Sequence, residues 1–221
     1  MKVEQISKTI GVNTYDGLTS EEIISAIARH GTIKDDNGKL ITYLMDNSHW
    51  SPLEHIFFGF KIETRRSISA QIFRHWTLKA QELSQRYSKG SSFETIELRK
   101  EHPTNRQSST DIINPIILYK SKYKDANTAI LEHLESTDNL YNTLIDAGIA
   151  KECARDILPL CTKTLIHISG NLRDLLSFLN VRCDSHAQKE IQLIAFEIGK
   201  CLEKELPKVF KTIDWRKGMF M

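Results

Sequence analysis

The chain has 221 residues, of which 40% are hydrophobic and 26% are charged, and its formal net charge is +2. This composition is typical of a globular protein, and the net charge is too small to imply non-specific binding of nucleic acid. No stretch approaches the roughly 20 apolar residues of a membrane span, and the N-terminus lacks the apolar segment of a secretory signal. The four cysteines form neither a CxxC pair nor a zinc-like spacing, which predicts reduced thiols in a cytoplasmic protein.

The sequence of the first half of the chain predicts short helices and short strands. A capping-box spacing begins at Thr19, so we expect a helix from there that stops near Gly31. Residues 49–55 contain a proline and predict a loop. The apolar alternation of residues 58–63 predicts a half-buried strand, and a short helix is expected at 65–73.

The second half predicts longer elements. In chain order we expect a strand at 93–98, a polar loop at 101–110, a helix at 111–147 that is interrupted near Pro115, a strand at 162–169, a turn at 170–171, and helices at 172–179 and 186–206. Asp184 and Ser185 precede the last helix and are residue types that cap helix N-termini. Together these elements predict a single α+β domain over residues 1–221.

The segment at residues 74–87 packs two arginines, a histidine, a glutamate and a serine into a short span. Guanidinium groups bind phosphates and pyrimidine-like edges through a planar fork, so Arg74 and Arg86 predict a nucleotide pocket. Gln71 lies three residues before Arg74 and would share its face on a helix. The alternative is a solvated helix face with weak ion pairs, which for Arg86 means a salt bridge to a neighbouring carboxylate.

Two later arginines offer the same chemistry. Arg155 precedes an apolar Ile-Leu-Pro run, which is an unusual place for a merely solvated charge. Helix capping explains Asp184 but not Arg182, for which the alternative is an ion pair with Asp184 or Glu190. Both arginines are therefore candidate ligand-binding residues.

The loop at 49–55 invites a metal interpretation because it carries two histidines and a glutamate. Short zinc motifs need a regular helix to aim both imidazoles, and Pro52 interrupts that spacing. No third ligand is evident in the sequence. We therefore expect no metal site, and we interpret the loop as a polar cover over a ligand.

Three motifs occur together in the order and near the spacing of one known family. They are His49-x-Ser-Pro-Leu-Glu-His55, then Arg74-His75 followed by Ser84-x-Arg86-Tyr87, then Asn171-x-Arg173 with Asn180-x-Arg182-x-Asp-Ser-His-Ala-Gln188. From about residue 25 to about residue 210 the chain resembles the flavin-dependent thymidylate synthases. It departs from the family's Arg-His-Arg motif at Trp76, and it has Ser177 where similar proteins often carry asparagine.

The resemblance implies an α+β fold with a central, mostly antiparallel sheet flanked by helices, in a subunit of a homotetramer with shared active sites. It implies reductive methylation of dUMP to dTMP, with methylenetetrahydrofolate as the carbon donor. FAD, reduced by NADPH, would supply the hydride, and no enzyme cysteine would attack the pyrimidine. Small-molecule substrates are expected, with neither nucleic acid nor membrane as a partner.

The resemblance also assigns residues. The matching arginine, Arg182, lies against the uracil ring in the family and favours ionisation at N3, so it is the predicted catalytic residue. The predicted dUMP-binding residues are Gln71, Arg74, Glu82, Leu83, Ser84, Gln85, Arg86, Arg155 and Arg182. The predicted FAD-binding residues are His49, Ser51, Arg74, His75, Trp76, Thr77, Glu82, Asn171, Arg173, Ser177, Asn180 and His186.

Two alternatives from other classes remain at this point. One is a non-catalytic nucleotide- or RNA-binding module that uses the same arginines, whose binding would fall steeply with salt. The other is a metal-dependent hydrolase that uses His49, His55 and His186. Both predict a colourless protein, whereas a flavoprotein is yellow.

Overall fold

The computed structural model describes residues 1–34, 37–88, 92–218 and 220–221. The chain divides into two compact units, the first formed by Met1–Ile62, Gln71–Gln81 and Ile166–Met221, and the second by Glu63–Ala70 and Glu82–Leu165. The single domain expected from the sequence stays a prediction. Within the described residues, no helix combines the length and the apolar character needed to cross a membrane.

The structure is an α+β fold with a main antiparallel sheet, as the sequence predicted. The strands are β1 (Lys2–Lys8), β2 (Phe57–Arg65), β3 (Lys79–Glu82), β4 (Arg99–Glu101), β5 (Ser109–Ile112), β6 (Ile116–Tyr119), β7 (Lys122–Asp125) and β8 (Lys163–Asn171). The main sheet has the order β1-β2-β8-β3, and the pairs β4-β5 and β6-β7 form two separate two-stranded sheets.

Eight α-helices are assigned among the described residues. They are α1 (Ser20–Ala28), α2 (Lys39–Asp46), α3 (Arg66–Ile72), α4 (Ala126–Asp146), α5 (Lys151–Ala154), α6 (Leu172–Arg182), α7 (Lys189–Glu205) and α8 (Pro207–Phe210). Short 3-10 turns occur at Ser51–His55 and Arg155–Ile157, among other places. Five predicted elements are therefore confirmed to within a few residues. They are the helices at 65–73, 172–179 and 186–206 and the strands at 58–63 and 162–169.

The first unit follows its sequence signals closely. The capping box of α1 is present, because the Thr19 side chain accepts from the backbone N–H of Glu22 while the Glu22 carboxylate accepts from that of Thr19. α1 ends before Gly31, whose φ of 96° suits glycine. The apolar stripe of α7 is buried, as are the leucines of α6, and these two helices pack against each other. α6 therefore packs into the core through its leucine face.

The second unit differs most from the structure that the sequence predicts. Residues 111–125, predicted as helix, form strand β5 and the hairpin β6-β7, and the helix begins only at Ala126. Asp125 caps it by accepting from the N–H of Thr128 at 3.0 Å. Lys120 and Ser121 both have positive φ, as a two-residue hairpin turn requires. Neither residue is the glycine or asparagine that is typical of such a turn, so the sequence did not predict the turn.

Three smaller predictions were also wrong. Of the strand expected at 93–98, only Phe93 makes an isolated bridge, with Thr162. Residues 170–171 end β8 rather than forming a turn, and Asn171 caps α6. Helix α7 begins at Lys189 after Gln188, so neither Asp184 nor Ser185 is its N-cap.

Candidate active site

Arg182 is held by two protein acceptors at the C-terminal end of α6. Its Nε donates to Nε2 of His75 at 2.9 Å, and its Nη2 donates to the backbone carbonyl of Gln71 at 3.0 Å. Both partners belong to the same compact unit as Arg182. The guanidinium is thus bound by neutral acceptors, and the ion pair with Asp184 or Glu190 that the sequence left open is not the contact formed there.

His75 is the acceptor of this pair because it is neutral. Burial, with the positive charges of Arg182 and Arg74, lowers the pKa of His75 to about 4. A neutral imidazole has one unprotonated nitrogen, and the contact with Arg182 assigns that role to Nε2. The ring also packs edge-on against Phe178 of α6, with centroids 4.9 Å apart and an interplanar angle of 69°. Burial also lowers the pKa of Arg182, with a smaller contribution from Arg74.

Gln71 is part of a chain of amide contacts. Its Nε2 donates to Oε1 of Gln188 at 2.7 Å, and Nε2 of Gln188 donates to Glu190 at 2.8 Å. Arg74 does not share a helix face with Gln71, because α3 ends at Ile72 and Arg74 lies exposed in the turn that follows. The prediction that these two side chains share one face was therefore wrong.

One face of α6 presents three of the residues that the resemblance assigned to FAD. Arg173, Ser177 and Asn180 lie at helical spacing on the side opposite to the buried leucines. Arg173 forms an ion pair with Glu54. Oδ1 of Asn180 accepts from the backbone N–H groups of Phe220 and Met221, the latter at 2.9 Å.

Asn171 has a structural task at the start of the same helix. Its Oδ1 accepts from the N–H of Asp174 at 2.9 Å, which is the contact of an N-cap. The turn that contains Ser51 packs against α6, and the N–H of Leu172 donates to the carbonyl of Ile56. His49, just before that turn, is exposed and packs edge-on against Tyr43. The structure therefore brings the 49–55 loop to the N-terminal end of α6.

The remaining predicted FAD residues of the first unit are open to solvent. Trp76 is 84% exposed, in a turn that also contains the half-buried Thr77. The His186 side chain is 73% exposed, and its Nδ1 lies 2.8 Å from Oδ1 of Asp184. The backbone N–H of His186 is the largest cause of the lowered pKa of Asp184. Asp184 thus orients this imidazole rather than capping a helix.

Glu82 and Leu83 are fixed inside the second unit. Both carboxylate oxygens of Glu82 are engaged, one by Nη1 of Arg66 and the other by Oγ1 of Thr164 at 2.9 Å. Nη2 of Arg66 donates to the carbonyl of Leu83 at 3.2 Å, and the N–H of Leu83 donates to Leu165 at 2.8 Å. Arg66 therefore holds the start of the 82–86 segment.

The rest of that segment is a turn begun by Ser84. Its carbonyl accepts from the N–H groups of Tyr87 and Ser88, and its Oγ accepts from that of Arg86 at 3.3 Å. Gln85, within the turn, is half-buried. Arg86 forms an ion pair with Glu152 at 3.0 Å, with the two side chains 55% and 54% exposed. Arg155 is half-buried in its 3-10 turn.

Sequence reasoning missed three residues that hold the predicted ones in place. Glu54 was quoted within a motif but given no role, and Gln188 was the last letter of another. Arg66 lies outside every motif, so no sequence signal identified it. Among the described residues, no group of three or more histidine, cysteine or carboxylate side chains has the arrangement of a metal site.

Comparison with known proteins identifies the family of this site. Residues 6–208 match the family described as thymidylate synthase complementing protein. A flavin-dependent thymidylate synthase of Synechocystis sp. is 36% identical over 220 residues, which cover 97% of this chain and 100% of that protein. A probable flavin-dependent thymidylate synthase of Paramecium bursaria Chlorella virus 1 is 33% identical over 226 residues, which cover 97% of this chain and 98% of that protein.

A flavin-dependent thymidylate synthase of Thermosipho melanesiensis is 35% identical over 182 residues, which cover 81% of this chain and 76% of that protein. The chain belongs to the thymidylate synthase complementing protein family. The resemblance found in the sequence motifs is thereby confirmed, and the relatives support neither the binding-module nor the hydrolase alternative.

Proposed function

We propose that this protein is a flavin-dependent thymidylate synthase, an enzyme that methylates dUMP reductively to dTMP with methylenetetrahydrofolate as carbon donor. The relatives that bear this name match the chain over most of its length. The structural observation that carries the proposal is the guanidinium of Arg182, fixed by His75 and Gln71. A cation with a fixed position is what a ring that must become anionic requires.

FAD, reduced by NADPH, supplies the hydride that completes the methyl group. The first unit holds a donor set that fits such a group. Arg173 presents a guanidinium suited to a pyrophosphate, and the exposed imidazole of His186 and amide of Asn180 suit the polar edge of a flavin ring. His49 and Ser51 lie on the loop that packs against the same helix. We propose that these residues hold FAD.

We propose that Arg182 activates dUMP by stabilising the N3-ionised form of the uracil ring. A cation favours the deprotonated state of a neighbouring acid, and ionisation at N3 raises electron density at C5, where the new bond forms. Gln71 and Arg74 belong to the same proposed substrate site. We also propose that Arg86 and Arg155 of the second unit bind a phosphate through their guanidinium forks, and that residues 82–85 belong to the dUMP-binding set that the resemblance implies.

Trp76 replaces the third residue of the family's Arg-His-Arg motif. The substitution removes a cation but supplies a large aromatic face that is 84% exposed. Such a face stacks on flat ring systems, and FAD contains two of them. We propose that Trp76 contacts FAD by stacking, beside Thr77 in the same turn.

We further propose that the protein is a homotetramer in the cytoplasm. The exposure of Trp76 and His186 supports the first part, because side chains that bind a cofactor are usually more enclosed than these are in a single chain. All four cysteines are free thiols, which suits the reducing cytoplasm. Sedimentation equilibrium should give four times the mass of one chain, and a monomer mass would contradict the tetramer.

The proposed function is tested by measuring the absorption spectrum and the dTMP-forming activity of the same purified protein. The purified protein, after addition of FAD, should retain a flavin absorption spectrum through gel filtration. It should then form dTMP from dUMP, methylenetetrahydrofolate and NADPH, and lose that activity when the flavin is removed. A protein that takes up no FAD, or that forms dTMP equally well without it, would contradict the proposal.

A further inference from the structure

We propose that His75 is a positioning residue that holds Arg182 in the orientation needed to bind and activate the uracil ring. This inference rests on the proposed function, because it concerns the residue that activates dUMP there. It adds a task that the resemblance did not give His75, which appeared only among the FAD-binding residues.

The guanidinium of Arg182 is fixed by contacts at two of its nitrogens. Arginine carries five N–H donors in a planar fork, and two of them in Arg182 are used by His75 and by the carbonyl of Gln71. Two contacts at different nitrogens define both the position and the plane of the fork. They leave up to three donors for a ligand. An arginine without such acceptors would keep several rotamers, and ordering them would cost binding free energy.

His75 is itself held through both its main chain and its ring. Its backbone N–H donates to Ile72 and its carbonyl accepts from Leu78, both at 3.0 Å, so the main chain is fixed on both sides. The imidazole ring packs edge-on against Phe178, a residue of the same helix as Arg182. The acceptor that aims Arg182 is therefore anchored to the helix that carries Arg182.

The protonation state of His75 also suits the role of an acceptor. An imidazolium has two donors and no acceptor, so only neutral histidine can receive the Nε–H of arginine. The burial of His75 and the two nearby arginines keep it neutral at physiological pH. The same environment would be poor for a histidine that had to carry a proton or bind an anion. Its properties suit an acceptor.

The test is a double-mutant cycle read by the dissociation constant of dUMP, measured by calorimetry on the FAD-loaded enzyme. His75→Leu keeps an apolar side chain against Phe178 but removes the acceptor. It should weaken dUMP binding about tenfold or more, which is the usual effect of losing a hydrogen bond to a charged group. In an Arg182→Ala background the same change should cost less than about twofold, since no guanidinium remains to be positioned. An equal loss in both backgrounds would overturn the proposal.

His75→Gln is the second variant, because its amide oxygen can replace the Nε2 acceptor. It should restore dUMP binding to within about threefold of the parent, as expected when the hydrogen bond is re-formed. If His75→Gln binds dUMP as poorly as His75→Leu while retaining the flavin spectrum, the proposal is wrong. The parent enzyme distinguishes failure of this proposal from failure of the proposed function: if the parent binds FAD but no dUMP, the proposed function itself fails.

Discussion

Arg86 shows how one observed contact can support two interpretations of a residue. It pairs with Glu152 at 3.0 Å, which is the salt bridge that the sequence offered as the alternative to phosphate binding. Both side chains are more than half exposed, and such pairs contribute about 0–1 kcal/mol. The pair is therefore too weak to explain Arg86 by stability alone, and it leaves the guanidinium available to a phosphate.

The matched variants Arg86→Gln and Glu152→Gln separate these interpretations. Both abolish the same ion pair, but only the first removes the guanidinium. We expect Arg86→Gln to weaken dUMP binding by about 2 kcal/mol, the size of a charge-assisted contact, with FAD affinity nearly unchanged. Glu152→Gln should leave both affinities near the parent values. Equal effects of the two variants on dUMP binding, measured by calorimetry, would show that Arg86 acts only through the ion pair.

The sequence identified residue types better than residue partners. The motifs named His75 and Arg182 separately, but their contact joins positions 107 residues apart, and no local pattern encodes it. Arg66 likewise lies outside every motif, and no local pattern predicts its hydrogen bond to Glu82. Burial and tertiary contact create the low pKa of His75, so the task of that residue emerges only in the folded chain.

Helix α7 carries a close approach that depends on one glycine. A Cβ at Gly199 would overlap the ring of Trp215, which is 1% exposed. Alanine would otherwise favour a helix interior by 0.5–1 kcal/mol, but overpacking costs about 1–3 kcal/mol. Gly199→Ala should therefore destabilise the protein by about 1–2 kcal/mol in urea unfolding. The control is Lys200→Ala at the exposed neighbouring position, which should change the free energy of unfolding by less than about 0.5 kcal/mol. A Gly199→Ala protein as stable as the parent would mean that Trp215 is not packed as described.

Elements with strong local signals were predictable, and those set by pairing were not. The capping box of α1 and the apolar stripe of α7 are encoded in neighbouring residues, and both were confirmed. The hairpin β6-β7 has apolar residues that also fit a helix, and its turn lacks glycine. Apolar runs of this length do not distinguish helix from strand, so pairing between the two strands decided the outcome.

At the scale of the whole molecule, burial makes three of the four thiols poorly suited to act as nucleophiles. Burial raises the pKa of the Cys183 thiol to about 12, and it also raises the pKa values of Cys161 and Cys201. A thiol protonated at working pH is a poor nucleophile. Cys153 is exposed and lies in α5. The raised pKa values of these buried thiols are consistent with a reaction in which a bound flavin supplies the redox chemistry.

The central claim is that hydride reaches the new methyl group of dTMP from a flavin on this protein. The most direct measurement is an anaerobic single turnover, with the bound flavin reduced beforehand and NADPH left out. Addition of dUMP and methylenetetrahydrofolate should give one dTMP per flavin, oxidise the flavin and release tetrahydrofolate, since the flavin provides both electrons. If dTMP forms with dihydrofolate while the flavin stays reduced, or if enzyme with reduced flavin and bound dUMP forms none, the account is contradicted.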